Sequence, residues 1–306
     1  MSSPATSVIH MASAAAAAML LLAGLAFQLG NRDAVEPAVQ PADITAELAP
    51  GADLAPVLPD AALPFLSGAM PVSAGSRPML AVIIDDIGPD RSVADAFIGA
   101  GLPLTLSILP FAQAAPEIAR AASREGLEVF LHLPMEPVGL ADPGPNALIR
   151  AHDAAEISRR LRWALSRVPG ASGFNNHMGS AMTADAAAME RVFESLRGSQ
   201  LIFVDSLTHP RSVAAGAAAR AGLPALRRDI FLDHVRTREA VDAAIDQALD
   251  RALASGSAIA IGHPHAMTLA ALETLAERAE LAGVELVTVS QLAAARAQRR
   301  SSQTAS

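Results

Sequence analysis

"AVIIDDIGPD", residues 81–90, is the stretch whose reading decides the fold. Together with Leu80, the run Ala81–Ile84 is apolar at every position, as a strand buried on both faces should be. It stops at two adjacent carboxylates, Asp85 and Asp86, and a Gly-Pro turn. Neighbouring side chains on an extended strand end point to opposite faces. The expectation is therefore a division of labour, one aspartate binding a metal and the other accepting a proton. The plainer alternative places both acids at the N-terminus of the following helix, where negative charge is favourable.

Working outward, similar apolar runs recur: "MLAVII" (79–84), "LPLTLSIL" (102–109), "LEVFLHL" (127–133), "ASGFN" (171–175), "LIFV" (201–204), "LPALR" (223–227), "SAIAI" (257–261) and "VELVTV" (284–289). Ala/Arg/Glu-rich segments of helical character lie between most of them. Gly101, Gly126, Gly170, Gly222, Gly256 and Gly283 stand where helix C-caps belong. Strand and helix in alternation argue an α/β fold with a parallel sheet. The count suits a (β/α) barrel, regular or slightly short of eight units, with a doubly wound open sheet as the alternative.

This pattern occupies residues 79–294. Before it, residues 11–29 carry no charge over a length close to that of a spanning helix, so residues 1–30 read as a signal peptide or an uncleaved signal anchor. Residues 31–78, rich in Pro and Ala without periodicity, read as a disordered linker, and residues 295–306 as a disordered tail. The expected location is the cell envelope, with the domain outside the cytoplasm, anchored through the N-terminal helix or released into the periplasm.

Composition removes several chemistries. The net charge of −8 leaves no basic footprint for nucleic acid. There is no Cys, no Tyr, and no Lys among the 23 basic residues. Disulfides, thiolate sites, a Walker-type phosphate loop, a Schiff base and a Ser-Lys dyad are all excluded. A general acid or base must be His, Asp or Glu.

Those residue types gather just beyond the strands: Asp85 and Asp86; His132; Asn175, Asn176 and His177; Asp205 and His209; Asp233 and His234; His263 and His265. Only His10 and His152 of the eight histidines fall elsewhere. The C-terminal rim of a parallel sheet is where catalytic groups collect. Histidine and carboxylate without Cys suit a divalent metal bound by nitrogen and oxygen, most plausibly zinc. The 3% aromatic content offers few faces on which sugars could stack.

"IIDDIG", "HLPMEP", "GFNNHMGS", "FVDSLTHP" and "AIGHPH", in that order, resemble the divergent polysaccharide deacetylase family, an outlying branch of the NodB-like carbohydrate esterases. The resemblance spans roughly residues 79–292. It implies a distorted (β/α) barrel of about seven strands and metal-dependent removal of N-acetyl groups from an amino-sugar polymer, peptidoglycan among the candidates. It makes Asp85 the base and Asp86 a ligand, with His132 as a second ligand. Glu136 stands where the better-known branch has its second histidine, so either Glu136 or His177 completes the set, and His177 is preferred. Asn175, Asn176 and His177 replace a region that carries an arginine in that branch. His263 or His265 corresponds to the acid, Asp205 or Asp233 would orient a histidine, Asn175 and Asn176 would bind sugar hydroxyls, and His209 falls in the second shell or on the surface. Two other readings remain open: a catalytically inactive barrel that binds glycan or an envelope protein, and a metal hydrolase of another bond such as an ester.

Overall fold

A computed structural model describes residues 77–304. The expected signal or anchor (1–30) and nearly all of the expected linker lie outside the described residues. Among the described residues, no helix is long and apolar enough to cross a membrane.

The strands are β1 (Met79–Ile87), β2 (Thr105–Ile108), β3 (Glu128–Met135), β4 (Gly173–Met178), β5 (Ile202–Asp205), β6 (Ala225–Arg227), β7 (Ile230–Phe231), β8 (Ser257–Gly262) and β9 (Glu285–Val287). The helices are α1 (Arg91–Ile98), α2 (Ala115–Arg124), α3 (Ala154–Arg167), α4 (Ala186–Glu194), α5 (Ala214–Arg220), α6 (Arg238–Ser255), α7 (Ala266–Leu272), α8 (Leu275–Ala282) and α9 (Val289–Thr304). The sheet runs β6-β5-β4-β3-β2-β1-β8-β7, with β9 added on β1, and every pairing is parallel. The two edge strands, β6 and β7, are separated in sequence by Arg228 and Asp229 alone. Arg228 N–H bonds the Asp205 carbonyl of β5 while Asp229 N–H bonds the Ile259 carbonyl of β8. The sheet therefore curls until two residues bridge its edges, giving the distorted barrel that the family resemblance implies.

The curl gives every strand an inner and an outer face, which alternate along the chain. Leu80, Val82 and Ile84 of β1 join the large core between sheet and helices. Ala81 and Ile83 join the inner core, with Phe130, Val204, Leu226, Ile259 and Ile261. Gly173 belongs to that inner layer because a Cβ there would lie 2.5 Å from the Phe130 ring and from the Ile202 carbonyl. Leu292 and Ala293 of α9 close the inner core at the strands' N-terminal end. The tail expected from residue 295 is thus a continuation of helix. Arg296 reaches back to Ser257 Oγ (2.9 Å) and Arg299 to the Gly256 carbonyl (3.2 Å). Its polar composition hid this anchoring.

Asp90, Asp153, Asp185 and Thr237 cap the N-termini of α1, α3, α4 and α6 through their side chains. The cap of α1 is therefore Asp90, which leaves Asp85 and Asp86 to the strand.

Candidate active site and metal centre

The period of two that builds the inner core also builds the site above it. Continuing upward on the inner face, Ile83 is followed by Asp85, Phe130 by His132, Gly173 by Asn175 and Ile261 by His263. In register, His132 pairs with Asn175, and Ser107 with Phe130 one step below. Asp85, Ser107, His132 and Asn175 are all buried. Asn175 ties them together. Its Oδ1 accepts from Ser107 Oγ (2.5 Å) and lies 2.8 Å from His132 Nδ1. Its Nδ2 donates to Asp85 Oδ1 (2.7 Å) and to Ser206 Oγ (3.0 Å). With Nδ1–H donated to the amide, neutral His132 presents an unprotonated Nε2 on its other side.

Asp86 should point away from this layer by alternation, and it does not. The register with β2 shifts between Ile84 and Ile87, and Asp86 adopts φ = 54°. A left-handed conformation at a non-glycine residue costs about 1 kcal/mol, and such residues cluster at active sites and ligand clamps. The bulge turns both carboxylates toward one imidazole. Asp85 Oδ1 is 3.7 Å from His132 Nδ1, and Asp86 Oδ1 is 3.1 Å from His132 Nε2. The expectation that the two aspartates diverge is corrected by this bulge, which a period-two reading cannot foresee.

His177, two positions above Asn175, brings Nδ1 to 2.8 Å from the same Asp86 oxygen. Neither imidazole approaches Asp86 Oδ1 in hydrogen-bond geometry, and that oxygen is a buried acceptor with no hydrogen bond. One ligand atom each from Asp86, His132 and His177 lie within 4.8 Å of one another. A carboxylate oxygen and two imidazole nitrogens this close together suit a divalent cation.

Opposite stands His263. Asp233 Oδ1 is 2.9 Å from its Nδ1, and Asp233 Oδ2 accepts from the His263 backbone N–H (2.5 Å) and Thr268 Oγ (2.9 Å). This grip leaves Nε2 facing Asp86 Oδ2 at 3.9 Å. Between the two histidines of "GHPH", His263 faces the site. His265 stands outside it, its ring stacked on His263 at 6.0 Å, beyond the turn made by Pro264.

Burial pushes the Asp85 carboxyl above the usual carboxylate range, against the pull of His132 and His263. Burial opposes charge on Asp86 as well, but the imidazoles of His132 and His177 outweigh it and hold that carboxyl well below the usual range. Burial disfavours protonated His132, yet Asp85 and Asp86 raise it to about 9. His263 is raised too, the Asp233 and Asp85 charges overcoming its desolvation.

Other expected residues take different parts. Both Glu136 oxygens are engaged by Arg150, which donates Nη2 to Oε1 (2.9 Å) and its backbone N–H to Oε2 (2.7 Å). Glu136 is thus held by Arg150, and the three groups close enough together to hold a cation are Asp86, His132 and His177. Asp205 orients no histidine: it accepts from Leu207 N–H (2.9 Å) and Ser212 Oγ (2.7 Å), bracing its own turn. Asn176 is spent on Ser206 N–H, the Met178 carbonyl and Thr208 Oγ1, and Asn175 on the network above, so neither amide is left for sugar hydroxyls. His209 accepts from Arg211 N–H (3.1 Å) in the loop after β5.

Some contributors escaped the sequence reading. Ser107 could have been found by its period-two place in "TLSI". Phe111 sets an edge toward His177, ring centres 6.5 Å apart, and Arg228 lies over Phe231 and donates to the Ser206 carbonyl (2.8 Å). Neither carries a local signal.

The comparisons agree with this architecture. A protein of Escherichia coli (strain K12), "Uncharacterized protein YibQ", is 36% identical over 219 residues, 72% of this chain and 67% of the other. An uncharacterized protein of Haemophilus influenzae is 36% identical over 194 residues, 63% of this chain and 69% of the other. The crystal structure of an uncharacterized protein from Agrobacterium tumefaciens C58 superposes with a TM-score of 0.67 at 25% identity, covering 75% of this chain and 98% of that one. Residues 82–293 match the family described as divergent polysaccharide deacetylase, and the chain belongs to that family.

Proposed function

We propose that this protein is a metal-dependent hydrolase of the cell envelope that removes N-acetyl groups from an amino-sugar polymer. The observation that carries the reading is Asp86 Oδ1, a buried acceptor without a hydrogen bond, set between the nitrogens of His132 and His177. Asp86, His132 and His177 would hold the ion, and zinc suits a set of one oxygen and two nitrogens. When bound, the ion supplies Lewis acidity toward a carbonyl oxygen and makes a water easier to deprotonate.

Asp85, raised by burial, takes the proton of the attacking water. Asn175 keeps that carboxylate in place with its N–H. His263, held by Asp233 and raised toward the protonated form, gives a proton from Nε2 to the departing amine. The two carboxylates of "DD" thus have different tasks because their environments differ: one is desolvated, the other is paired with imidazoles. The apolar run at 11–29 supports placing the domain outside the cytoplasm, tethered to the membrane.

The test is acetate release from N-acetylglucosamine oligomers and peptidoglycan fragments by zinc-loaded protein, beside a panel of acetyl esters. Turnover of the amides, lost in Asp86→Ala and His132→Ala together with bound zinc, is the expected result. Cleavage of the esters alone would assign another bond. Zinc bound without turnover of any member would leave a binding protein.

A further inference from the structure

Past the ends of β3 and β4, beside the strands that supply His132 and His177, lies a cleft of about 440 Å³ lined by Glu136, Val138, Arg150, Ser180, His209 and Arg211. Its two walls differ in what their polar groups have left to offer. On one wall Glu136 and Arg150 satisfy each other, and Asp185 caps α4 by accepting from Ala188 N–H (2.9 Å). On the other, the loop after β5, the groups are unspent donors. Arg211 is exposed, and among the described residues its guanidinium has no acceptor. His209 accepts from Arg211 N–H through Nδ1, which leaves Nε2 as the ring's N–H. Between the walls, Ser180 Oγ accepts from Val138 N–H (2.8 Å) and retains its own hydrogen. Val138, 66% exposed, adds an apolar edge.

Formal charge in the cleft balances, two arginines against two acids, so the asymmetry lies in engagement. The free capacity of the β5 wall is donor-only and includes one cation without a partner among the described residues, which fits an oxyanion. We propose that this cleft is a subsite for a carboxylate carried by the saccharide next to the reacting amino sugar, with Arg211, His209 and Ser180 as its donors. The substrate is then an acidic amino-sugar polymer. The proposal rests on the deacetylase reading for the role of the neighbouring site, but the subsite can be tested without catalysis.

The probes are a tetrasaccharide of alternating glucuronate and N-acetylglucosamine and its carboxyl-reduced counterpart, titrated by calorimetry at low salt. The wild type is expected to bind the acidic probe about tenfold tighter than the reduced one, the size of one charge-assisted contact near a surface. Arg211→Gln is expected to bind both alike. Arg211 is exposed, so its replacement leaves the fold intact, which circular dichroism checks. Equal binding of the two probes by the wild type, no binding of the acidic probe at millimolar concentration, or a preference that survives Arg211→Gln would each overturn the subsite. Asp86→Ala separates the two readings. An intact acidic preference in a variant without zinc supports the subsite whatever becomes of the hydrolase.

Discussion

Glu128 and His132 stand four residues apart on the inner face of one strand, β3, with Phe130 between them, and they finish the two ends of the barrel in opposite ways. At the N-terminal end Glu128 meets five donors: Thr105 Oγ1 (2.6 Å), Ser172 Oγ (2.9 Å), Val289 N–H (2.7 Å), Ser290 N–H (3.2 Å) and Ser290 Oγ. Every one of those bonds fastens the start of α9 or a neighbouring strand. At the C-terminal end, two carboxylates crowd one imidazole and Asp86 Oδ1 is left without a hydrogen bond. One acid is saturated and holds the structure. The others face titratable imidazoles, partners that a cation could share or replace. What separates the two is whether the charge is met by fixed neutral donors or by histidines.

Several substitutions would break or sharpen that contrast. The largest effect belongs to Asp86→Ala, which removes the ligand shared by both imidazoles. Zinc bound after purification should fall to background and acetate release by about a thousandfold or more. Metal analysis and turnover on the same preparation check this. Normal zinc in that variant would refute the ligand set.

Glu128→Gln is the matching change at the other end. One amide cannot accept what two carboxylate oxygens accept, and donors around Val289 and Ser290 lose their partner. A loss of about 2–3 kcal/mol follows, seen as a fall in Tm of roughly 5–10 °C for a domain of this size. Zinc affinity and turnover should be unchanged in the folded protein. A parallel loss of zinc would mean that the two ends are coupled through β3.

Asn175→Ala tests the link between base and ligand. Without the amide, His132 loses the partner that orients its ring and Asp85 loses a donor. Zinc affinity should drop about 10- to 100-fold, the usual range for the partner of a metal-bound histidine. Competition with a chelator measures it.

The pH dependence follows from His132, raised against its burial to about 9 from the usual histidine value of about 6.5 by the carboxylates of Asp85 and Asp86. The proton it holds stabilises the folded, metal-free chain in full below about pH 6.5, and that contribution is lost as pH rises through about 9. A cation at the same atoms displaces that proton. Apparent zinc affinity should therefore rise between those limits by up to about tenfold per pH unit and level off above them. Calorimetric titrations in buffers of different ionisation enthalpy count the released proton. An affinity independent of pH over this window would contradict the charged pairing at Asp85 and Asp86.

Much of this was legible in the residues because it follows a period. Alternation along "AVIID", "VFLH" and "AIAIGH" places Asp85, His132 and His263 on the inner face above apolar neighbours, and the strand ends collect them at one rim. What alternation could not supply was the exception to it, the bulge that turns Asp86 inward. Nor could spacing separate His263 from His265, since the difference lies in Asp233, thirty residues upstream and on the next strand's loop. The α9 helix was misread for a related reason. "RAQRRSSQ" looks solvated, yet Arg296 and Arg299 bond the start of β8 across the barrel floor, and Glu128 caps the helix from β3. Long-range polar partners leave no local trace, so neither the bracing of its own turn by Asp205 nor the pairing of Glu136 with Arg150 can be read from spacing.

Glu136 gives the smallest effect and the sharpest test of the family's altered motif. It stands at the position where the better-known branch has its second histidine, one residue past β3 and close in sequence to His132. In this fold its carboxylate is held below the usual range by the guanidinium of Arg150, and it faces the cleft rather than Asp86. The pair is half-exposed, so Glu136→Gln should cost no more than about 1 kcal/mol, read as a Tm change of a few degrees at most. Zinc content should be untouched if, as proposed, His177 completes the set. If Glu136→Gln instead loses zinc while His177→Ala keeps it, the assignment is reversed. The imidazole of β4 would then drop out of the proposed set in favour of a second group from β3, and the contrast between an acid met by fixed donors and an acid met by imidazoles would have to be redrawn one residue beyond that strand.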